Sequence, residues 1–523
     1  MLLSTSQAKN ILLINANVLT MDHSNPTARW VAVSNGIIQA AGKEKDLNLP
    51  EFAGFAVIDC RGKTVLPGFN DAHCHLRAFA ESLVTIDLRP SPEAFKSVND
   101  IKSALRNFCQ NKPKGSWLRG RGYNEFHLAE KRHPTRWDLD EIAPDHPTKL
   151  THRSGHAHVL NSLALGLVGI SKETGDPPGA LIDRDVNTGE PTGLLYEMGQ
   201  FLSERIPPLD PQELLYGVEL ANQRLLSLGI TSVQDASHLN DGKRWKEICS
   251  WKTAGLFRPR INFMLSPVEL ERFGTQHLSS SVGENQLRLN GIKLILDETT
   301  GQLHPSQEEL NRTVLKIHQS KYQVAIHAIE ENAVESASAA IDYALKKFPV
   351  SDHRHRIEHC SVCSPPLLKR LASLGIMVVT QPAFIFYNGD RYLETVLDHR
   401  LQYLYPLGSL MNAGIPVAGS SDCPIVPPSP LIGVYSAVSR KSEAGKTLGK
   451  GEEISALDAL HMYTVQGARA SFEEDLKGSI TPGKLGDLVV LSGDPSLATP
   501  DEIKDIDVEM TILNGEVVWE KPR

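Results

Sequence analysis

Leu66-Pro67-Gly68-Phe69-Asn70-Asp71-Ala72-His73-Cys74-His75 joins an apolar run to two histidines that are separated by one residue. In an extended strand the side chains alternate between two faces, so His73 and His75 point the same way and Cys74 points the opposite way. Imidazole is a common ligand of zinc, iron, nickel and copper. The pair therefore provides half of a transition-metal site, although two histidines on a surface loop would give the same pattern.

From residue 214 onward, short apolar runs alternate with helical stretches. With the run before His73 they make eight candidate buried parallel strands, and the other seven are 231–235, 261–265, 291–296, 324–327, 356–359, 377–380 and 416–422. Eight β–α repeats predict an α/β fold, a closed (β/α)8 TIM barrel. An open doubly wound sheet is the alternative, but no Gly-rich dinucleotide-binding turn supports it.

Both chain ends carry short strand-like runs with turn signals between them, including Asn514-Gly515 as a hairpin turn. Because such strands need a packing partner, residues 1–66 and 476–523 are predicted to form one composite β-sandwich domain. The barrel would then occupy residues 67–475. The segment around 85–213 is too long for an ordinary βα loop, so we predict an inserted subdomain there, helical and irregular in structure.

Composition narrows the class of protein. The 523 residues carry 54 Lys and Arg against 62 Asp and Glu, a net charge of −8, which disfavours nucleic acid and anionic membranes as partners. Seven scattered cysteines suggest free thiols in a reducing compartment, and the apolar run 11–14 is too short for a signal sequence or a membrane span. We expect a cytoplasmic protein with a small-molecule substrate, and we leave a homodimer open.

Metal-ligating side chains recur at the carboxyl ends of the predicted strands, where barrel enzymes carry their chemistry. His73 and His75 end the first strand, His327 the fifth, His359 the sixth and Asp422 the eighth. A single histidine at a strand end is more often an ordinary hydrogen-bonded residue than a ligand. Four histidines and one aspartate at one rim predict a metal site.

Lys293 lies inside the apolar run 291–296. Burying an ammonium group is costly unless the group is paired or loses its charge. A neutral lysine can react with carbon dioxide to give a carbamate, an oxygen ligand able to bridge two cations. The alternative is that Lys293 snorkels or pairs with Asp297, which alternation places on the same face.

Five stretches of the chain together resemble amidohydrolase family 3 of the amidohydrolase superfamily, the YtcJ-like metal-dependent hydrolases. They are residues 67–75, 154–165, 291–294, 405–424 and 477–488. The resemblance implies a distorted (β/α)8 barrel beside a small β-sandwich made from both termini. It also implies a divalent metal, usually zinc, at about one or two ions per chain. Its ligands would be His73, His75, His327, His359 and Asp422, with Lys293 as a carboxylated bridging ligand.

The same resemblance implies an amidohydrolase that cleaves carbon–nitrogen bonds other than peptide bonds by means of a metal-activated water, with Asp422 as the catalytic base. His156, at the start of the segment 156–162, would bind substrate. We add Glu197 and His238 as candidate substrate contacts, the latter as an oxyanion donor. A deaminase of a cyclic amidine or nucleobase-like ring is the alternative, with Glu330 after His327 as its candidate acid. A non-catalytic binding protein on the same fold is the third reading.

Overall fold

The computed structural model describes residues 10–89, 95–110, 112–273, 283, 285–297 and 303–522. The chain forms two compact units. One holds the described residues of Met1–Leu76, Ala221–Leu296 and Pro305–Arg523, and the other holds those of Arg77–Leu220 and Asp297–His304. We call them the barrel unit and the inserted unit.

Eight parallel strands form the central sheet of the barrel unit, and consecutive strands are neighbours throughout. They are β1 (Phe69–Cys74), β2 (Ile230–Asp235), β3 (Arg260–Leu265), β4 (Leu287–Ile295), β5 (Gln323–Ala328), β6 (Arg356–His359), β7 (Met377–Thr380) and β8 (Val417–Gly419). The predicted α/β barrel is therefore confirmed: the seven later runs each overlap a barrel strand, whereas the apolar run at 64–66, before His73, lies in a strand outside the barrel sheet. Most of these strands are buried along their whole length, including polar residues such as Asn70, Gln234 and Glu358.

The sheet nearly closes where β8 meets β1. Just beyond β8, the amide of Asp422 donates to the carbonyl of His73 at 2.8 Å. The Ser421 amide donates to Asp71 Oδ1 at 2.9 Å, and its hydroxyl donates to Asp71 Oδ2 at 2.5 Å. This seam between the first and last strands brings residues 349 positions apart into register at the carboxyl end of the sheet (422 minus 73).

Helices follow the barrel strands as the βα pattern requires. They are Gly242–Thr253, Pro267–Phe273, Gln307–Gln319, Glu331–Lys347, Pro365–Leu374, Ala383–Thr395, Asp398–Leu401, Leu407–Asn412, Pro430–Ser439, Ala456–Tyr463, Val465–Arg469 and the short Pro500–Ile503. Leu76–Ser82 and Pro211–Ser227 each contain residues of both units. None of the helices in the described part of the chain is long and apolar enough to cross a membrane.

Two further sheets of the barrel unit come from the chain ends. One has the order Ile37–Gly42, Trp30–Ser34, Asn10–Ile14 and Ala56–Asp59; the other has the order Glu516–Glu520, Val508–Leu513, Leu488–Leu491, Thr64–Pro67, Asn17–Leu19 and Thr27–Ala28. Residues of both, among them Leu13, Val33, Val65 and Ile512, share one apolar core. The sheets therefore pack on each other as a sandwich, and the second sheet takes strands from both ends of the chain. Two short 3-10 helices, Glu44–Asp46 and Leu49–Phe52, lie beside the first sheet in sequence.

A buried ion pair lies at the amino end of β3. Arg260 donates to Asp487 through Nε at 2.6 Å and through Nη2 at 2.9 Å. Its remaining donors reach the Asn514 side chain at 2.5 Å and the Asn285 carbonyl at 2.6 Å. The side chains of Arg260 and Asp487 are 2% and 4% exposed, so the pair is desolvated, but each guanidinium nitrogen makes at least one hydrogen bond.

The inserted unit contains a six-stranded sheet, which the sequence analysis missed. Its order is Leu181–Arg184, Pro191–Tyr196, Ala157–Leu160, Thr148–His152, Leu118–Tyr123 and Ile86–Asp87, with helices Val98–Cys109, Arg136–Asp140, Ser162–Val168 and Gly199–Arg205. The prediction of a helical and irregular segment was wrong in this respect. Basic residues and glycines interrupt the apolar residues of several strands, as in Leu118-Arg119-Gly120-Arg121. These strands therefore lack the apolar run by which the barrel strands were found.

Candidate metal centre

The barrel brings six residues together that lie far apart in the sequence. His73 is on β1 and His75 directly follows it, Lys293 is on β4, His327 is on β5, His359 ends β6, and Asp422 follows β8. All six therefore belong to the carboxyl half of the sheet, as the sequence predicted. Short contacts between their side chains link all six residues.

The tightest group is His73, His75 and Asp422, each of which offers one ligand atom within 4.8 Å of the other two. His75 Nε2 lies 2.9 Å from Asp422 Oδ1, and His73 Nε2 lies 3.5 Å from the same oxygen. Lys293 Nζ is 3.3 Å from His73 Nε2. The imidazole, carboxylate and amine groups thus converge on one small volume.

The other two histidines continue the cluster. The ring centroid of His359 is 5.0 Å from that of His73 and 4.4 Å from that of His327. His359 is buried, and its Nε2 has no hydrogen-bond partner among the residues that the structure describes. A buried nitrogen without a partner is uncommon in folded proteins, and a bound ion is one of the few ways to satisfy it.

Burial sets the charge state of these groups. It lowers the pKa of His73 well below its usual value, and Lys293 adds to the shift; burial also lowers the pKa of His359. Burial alone would raise the pKa of Asp422, but the hydrogen bond from His75 and the neighbouring imidazoles hold it below its usual range. Neutral imidazoles and an ionised carboxylate are the forms that bind metal.

Lys293 is buried at 2% exposure, and burial lowers the pKa of its amine to about 8, although Glu358 and Asp422 oppose the shift. A lysine with this pKa has a larger neutral fraction near neutral pH than an exposed lysine has. The residue is thus buried beside the cluster and partly deprotonated. Both features are needed for the carbamate that the sequence analysis raised.

A set of polar residues behind the cluster orients the imidazoles. His73 Nδ1 donates to Glu358 Oε2 at 2.5 Å, and Arg356 holds the other Glu358 oxygen at 2.5 Å. His359 Nδ1 donates to Gln381 Oε1 at 2.8 Å, and His75 Nδ1 lies 3.2 Å from Ser237 Oγ. Each bond occupies Nδ1 and leaves Nε2 for the cluster, which is how metal-binding histidines are commonly fixed.

The sequence analysis missed these orienting residues. The only sequence signal for Glu358 was its place in the predicted strand 356–359, where alternation sets it on the same face as Arg356 and on the opposite face from Ile357.

The sequence analysis also missed a pair of cysteines with CxxC spacing, Cys360 and Cys363, just after β6. Both are buried free thiols.

Two of the candidate ligands have unusual backbone conformations. His359 has φ +71° and Asp422 has φ +58°, in the left-handed region that side chains other than glycine seldom adopt. Such residues cost about 1–3 kcal/mol each and persist where the surrounding structure imposes them, often at functional sites. At these two positions the chain turns sharply after a barrel strand, which brings a side chain into the cluster.

The donor set suits a divalent metal. Histidine nitrogens with a carboxylate oxygen are the ligands of catalytic zinc and related ions. The unpartnered His359 Nε2 and the convergence of His73, His75 and Asp422 fit an ion between them. A divalent ion would most directly take its ligands from these four residues, with His327 and Lys293 beside them.

The structure places the three predicted substrate-binding residues in two groups. His156 Nδ1 donates to Glu197 Oε1 at 2.8 Å, and both residues belong to the inserted unit. His238 belongs to the barrel unit and is exposed just after β2. The roles of these residues, like those of the metal ligands, stay predictions.

The chain is similar to known proteins over nearly its whole length. A family model described as "Amidohydrolase family" matches residues 56–519. The chain belongs to the amidohydrolase family. It is 31% identical to the N-substituted formamide deformylase of Arthrobacter pascens, over 99% of each chain. It is 29% identical to the putative amidohydrolase YtcJ of Bacillus subtilis, over 96% of this chain and 98% of that protein.

Solved structures agree with this assignment. A metal-dependent hydrolase from Pyrococcus horikoshii superposes with a TM-score of 0.74 at 26% identity, covering 94% of this chain and 99% of that one. The predicted membership of amidohydrolase family 3 is confirmed. The chain is accordingly a hydrolase that acts on carbon–nitrogen bonds other than peptide bonds, and its barrel carries a site suited to a divalent metal.

Proposed function

We propose that this amidohydrolase cleaves the amide bond of a small N-substituted formamide or a closely related N-acyl amine. The convergence of His73, His75 and Asp422 at the barrel mouth carries the proposal of metal-dependent hydrolysis. The substrate class is taken from the full-length similarity to an N-substituted formamide deformylase. Zinc is the proposed ion, and a carboxylated Lys293 is its proposed additional ligand.

When bound, the metal supplies Lewis acidity, which polarises a carbonyl and makes water a nucleophile near neutral pH. The protein residues have separate tasks. Asp422, kept ionised by His75 and the neighbouring imidazoles, accepts the proton of the attacking water. It then returns that proton to the leaving nitrogen, so that the amine departs neutral. Glu358 and Gln381 hold His73 and His359 in one orientation throughout.

The test is a panel of N-substituted formamides, acetamides and cyclic amidines, with formate, acetate and ammonia measured separately. We expect release of formate and a primary amine, loss of activity on chelation, and recovery on adding zinc. Asp422→Asn is the inactive control, and Asp505→Asn, a surface change, is the matched control. Absence of any carboxylate release from a metal-replete sample would contradict the proposal.

The deaminase alternative has weaker support. Its candidate acid, Glu330, lies 3.1 Å from Arg400, and it precedes the helix Glu331–Lys347 as its N-terminal cap. A carboxylate engaged in this ion pair is poorly suited to serve as a proton donor to a ring. Ammonia release from a cyclic amidine in the same panel would favour deamination, and binding without any turnover would favour a non-catalytic protein.

A further inference from the structure

The sheet of the inserted unit has two chemically different faces. Leu118, Leu150 and Val159 point into an apolar core on one side. Because strand residues alternate, Arg119, Arg121, Lys149 and His158 point to the other side. The ladder pairs Arg119 with Lys149 and Arg121 with Thr151, and it pairs Thr151 with His158. We call these five adjacent residues the cationic face.

The basic groups of this face are poorly neutralised. Arg121 donates to the Ala78 carbonyl at 3.3 Å and Arg119 to the Pro207 carbonyl at 2.5 Å, both neutral acceptors. Lys149 has no hydrogen bond or ion pair to any residue in the described ranges. The buried Lys477, by contrast, is paired with Glu473 at 2.8 Å.

His158 adds a second unsatisfied group. Its side chain is 4% exposed, and its Nε2 is buried without a hydrogen-bond partner in the part of the chain that the structure describes. Its Nδ1 lies 3.3 Å from Thr151 Oγ1. His158 is therefore held at Nδ1 and has no hydrogen-bond partner for Nε2 among the described residues, on the same face of the sheet as Lys149 and Arg121.

The acidic residues of the unit do not offset this charge. Glu81, whose charge acts on Lys149, lies 3.0 Å from Arg77. Glu213, near Arg119, is paired with Lys112 at 2.9 Å. Burial, with a smaller contribution from the charge of Arg121, lowers the pKa of Lys149 to about 8, although Glu81 opposes the shift. Repulsion among like charges in a desolvated place is a cost that a bound anion would remove.

We propose that the cationic face binds a small oxyanion, either a carboxylate or a phosphate group, between Arg121, Lys149 and the hydroxyl of Thr151. Guanidinium and ammonium groups form strong charge-assisted hydrogen bonds to such oxygens, and arginine can engage two at once. Lys149 and Arg121 are half-buried, so they are accessible to a ligand while partly shielded from water. None of its residues belongs to the metal cluster, and binding of the anion requires no turnover.

The experiment is calorimetric titration of the full-length, metal-loaded protein with sodium phosphate and, separately, with sodium acetate at constant ionic strength. We expect one of the two to bind with a stoichiometry near one. Lys149→Met should weaken that binding by roughly tenfold or more, since a charged hydrogen bond is lost. Lys114→Met is the matched control, because Lys114 lies in the same unit with its side chain 82% exposed.

A second pair of measurements separates loss of binding from loss of folding. Without added oxyanion, Lys149→Met should melt at or above the temperature of the unaltered protein, because the substitution removes an unpaired buried charge. Arg121→Gln should weaken binding in the same way. Stronger phosphate binding assigns a phosphate-bearing ligand, and stronger acetate binding assigns a carboxylate. The proposal is overturned if neither salt binds more than chloride does, or if both variants bind as tightly as Lys114→Met.

Discussion

The two ends of the barrel both bury charged groups, but they treat them differently. At the amino end, Arg260 and Asp487 are desolvated, and each guanidinium nitrogen donates to Asp487, Asn514 or Asn285. At the carboxyl end, His359 Nε2 is equally buried but lacks a partner among the described residues. A buried ion pair with hydrogen-bonded partners stabilises the fold, whereas an unsatisfied buried nitrogen within a cluster of metal-ligand atoms indicates a place where an ion can bind.

The difference extends to the backbone. The barrel strands begin in regular extended structure, but the chain leaves β6 and β8 through His359 and Asp422 in the left-handed conformation. Two of the candidate ligands thus lie in a strained backbone conformation, which is common at functional sites. Substitutions at the two ends should accordingly have opposite effects on activity and stability, and the predictions below test that division.

The largest effect is expected for Asp422→Asn. Removing the only proposed proton acceptor should lower kcat by about 10²- to 10⁴-fold. The free energy of unfolding should fall only modestly, because asparagine keeps an oxygen that can accept the hydrogen bond from His75. Steady-state kinetics on the formamide substrate and urea unfolding give the two quantities. A strongly destabilised variant that keeps its specific activity would contradict the role of Asp422 as the proton acceptor.

Asp487→Asn should do the opposite. It leaves the Arg260 guanidinium buried without a counter-charge, so the free energy of unfolding should fall by about 3–5 kcal/mol. The activity of the molecules that remain folded should be unchanged. Asp505→Asn, which removes an exposed partner of Lys504, is the control and should leave unfolding unaltered. Equal stability of the two variants would show that the buried pair has no structural role.

Glu358→Gln tests the orienting residues at the carboxyl end. Glutamine keeps the size of the side chain but weakens the bond that fixes His73, so metal affinity should fall by about 10- to 100-fold. Competition with a chromogenic chelator measures that affinity. Glu473→Gln is the matched control, because Glu473 is a buried glutamate hydrogen-bonded to Asn262 and Ser471. Its metal affinity should be that of the unaltered protein, and equal losses in both would refute the orienting role.

The smallest effect concerns acid stability at the amino end of β6. His355 Nε2 donates to His318 Nδ1, and its Nδ1 accepts from the Val324 amide at 3.1 Å, so the ring is neutral. Burial lowers its pKa well below the usual value, and His353 adds to the shift. The unfolded chain therefore takes up this proton first as the pH falls below about 6.5, and folding stability declines from there.

The slope attributable to His355 is at most about 1.4 kcal/mol per pH unit, and it ends once the pH passes the pKa of the folded state. Above pH 7 this residue contributes no pH dependence. Urea unfolding of metal-loaded protein between pH 5 and 8 measures the slope. His355→Gln should flatten it, whereas His399→Gln, at an exposed position, should not. An unchanged slope in His355→Gln would refute the assignment.

Some of this could be predicted from the sequence because the signals were local. The spacing of His73 and His75 needs only the alternation of one strand, and short apolar runs such as 324–326 and 377–379 marked several of the barrel strands. The role of Glu358 could not be predicted, because its partner His73 is 285 positions away and only the closed barrel brings the two together. The sheet of the inserted unit was missed because Arg119, Arg121 and Lys149 interrupt its apolar pattern.

The central claim is that side chains from separate strands hold a divalent ion at the carboxyl end of the barrel. Its most direct test is elemental mass spectrometry of the untagged protein beside the His73→Ala/Asp422→Ala double variant, with folding checked by circular dichroism. We predict about one to two equivalents of zinc or a related divalent ion per chain, lost in the folded double variant. A fully active protein without stoichiometric metal would contradict the claim.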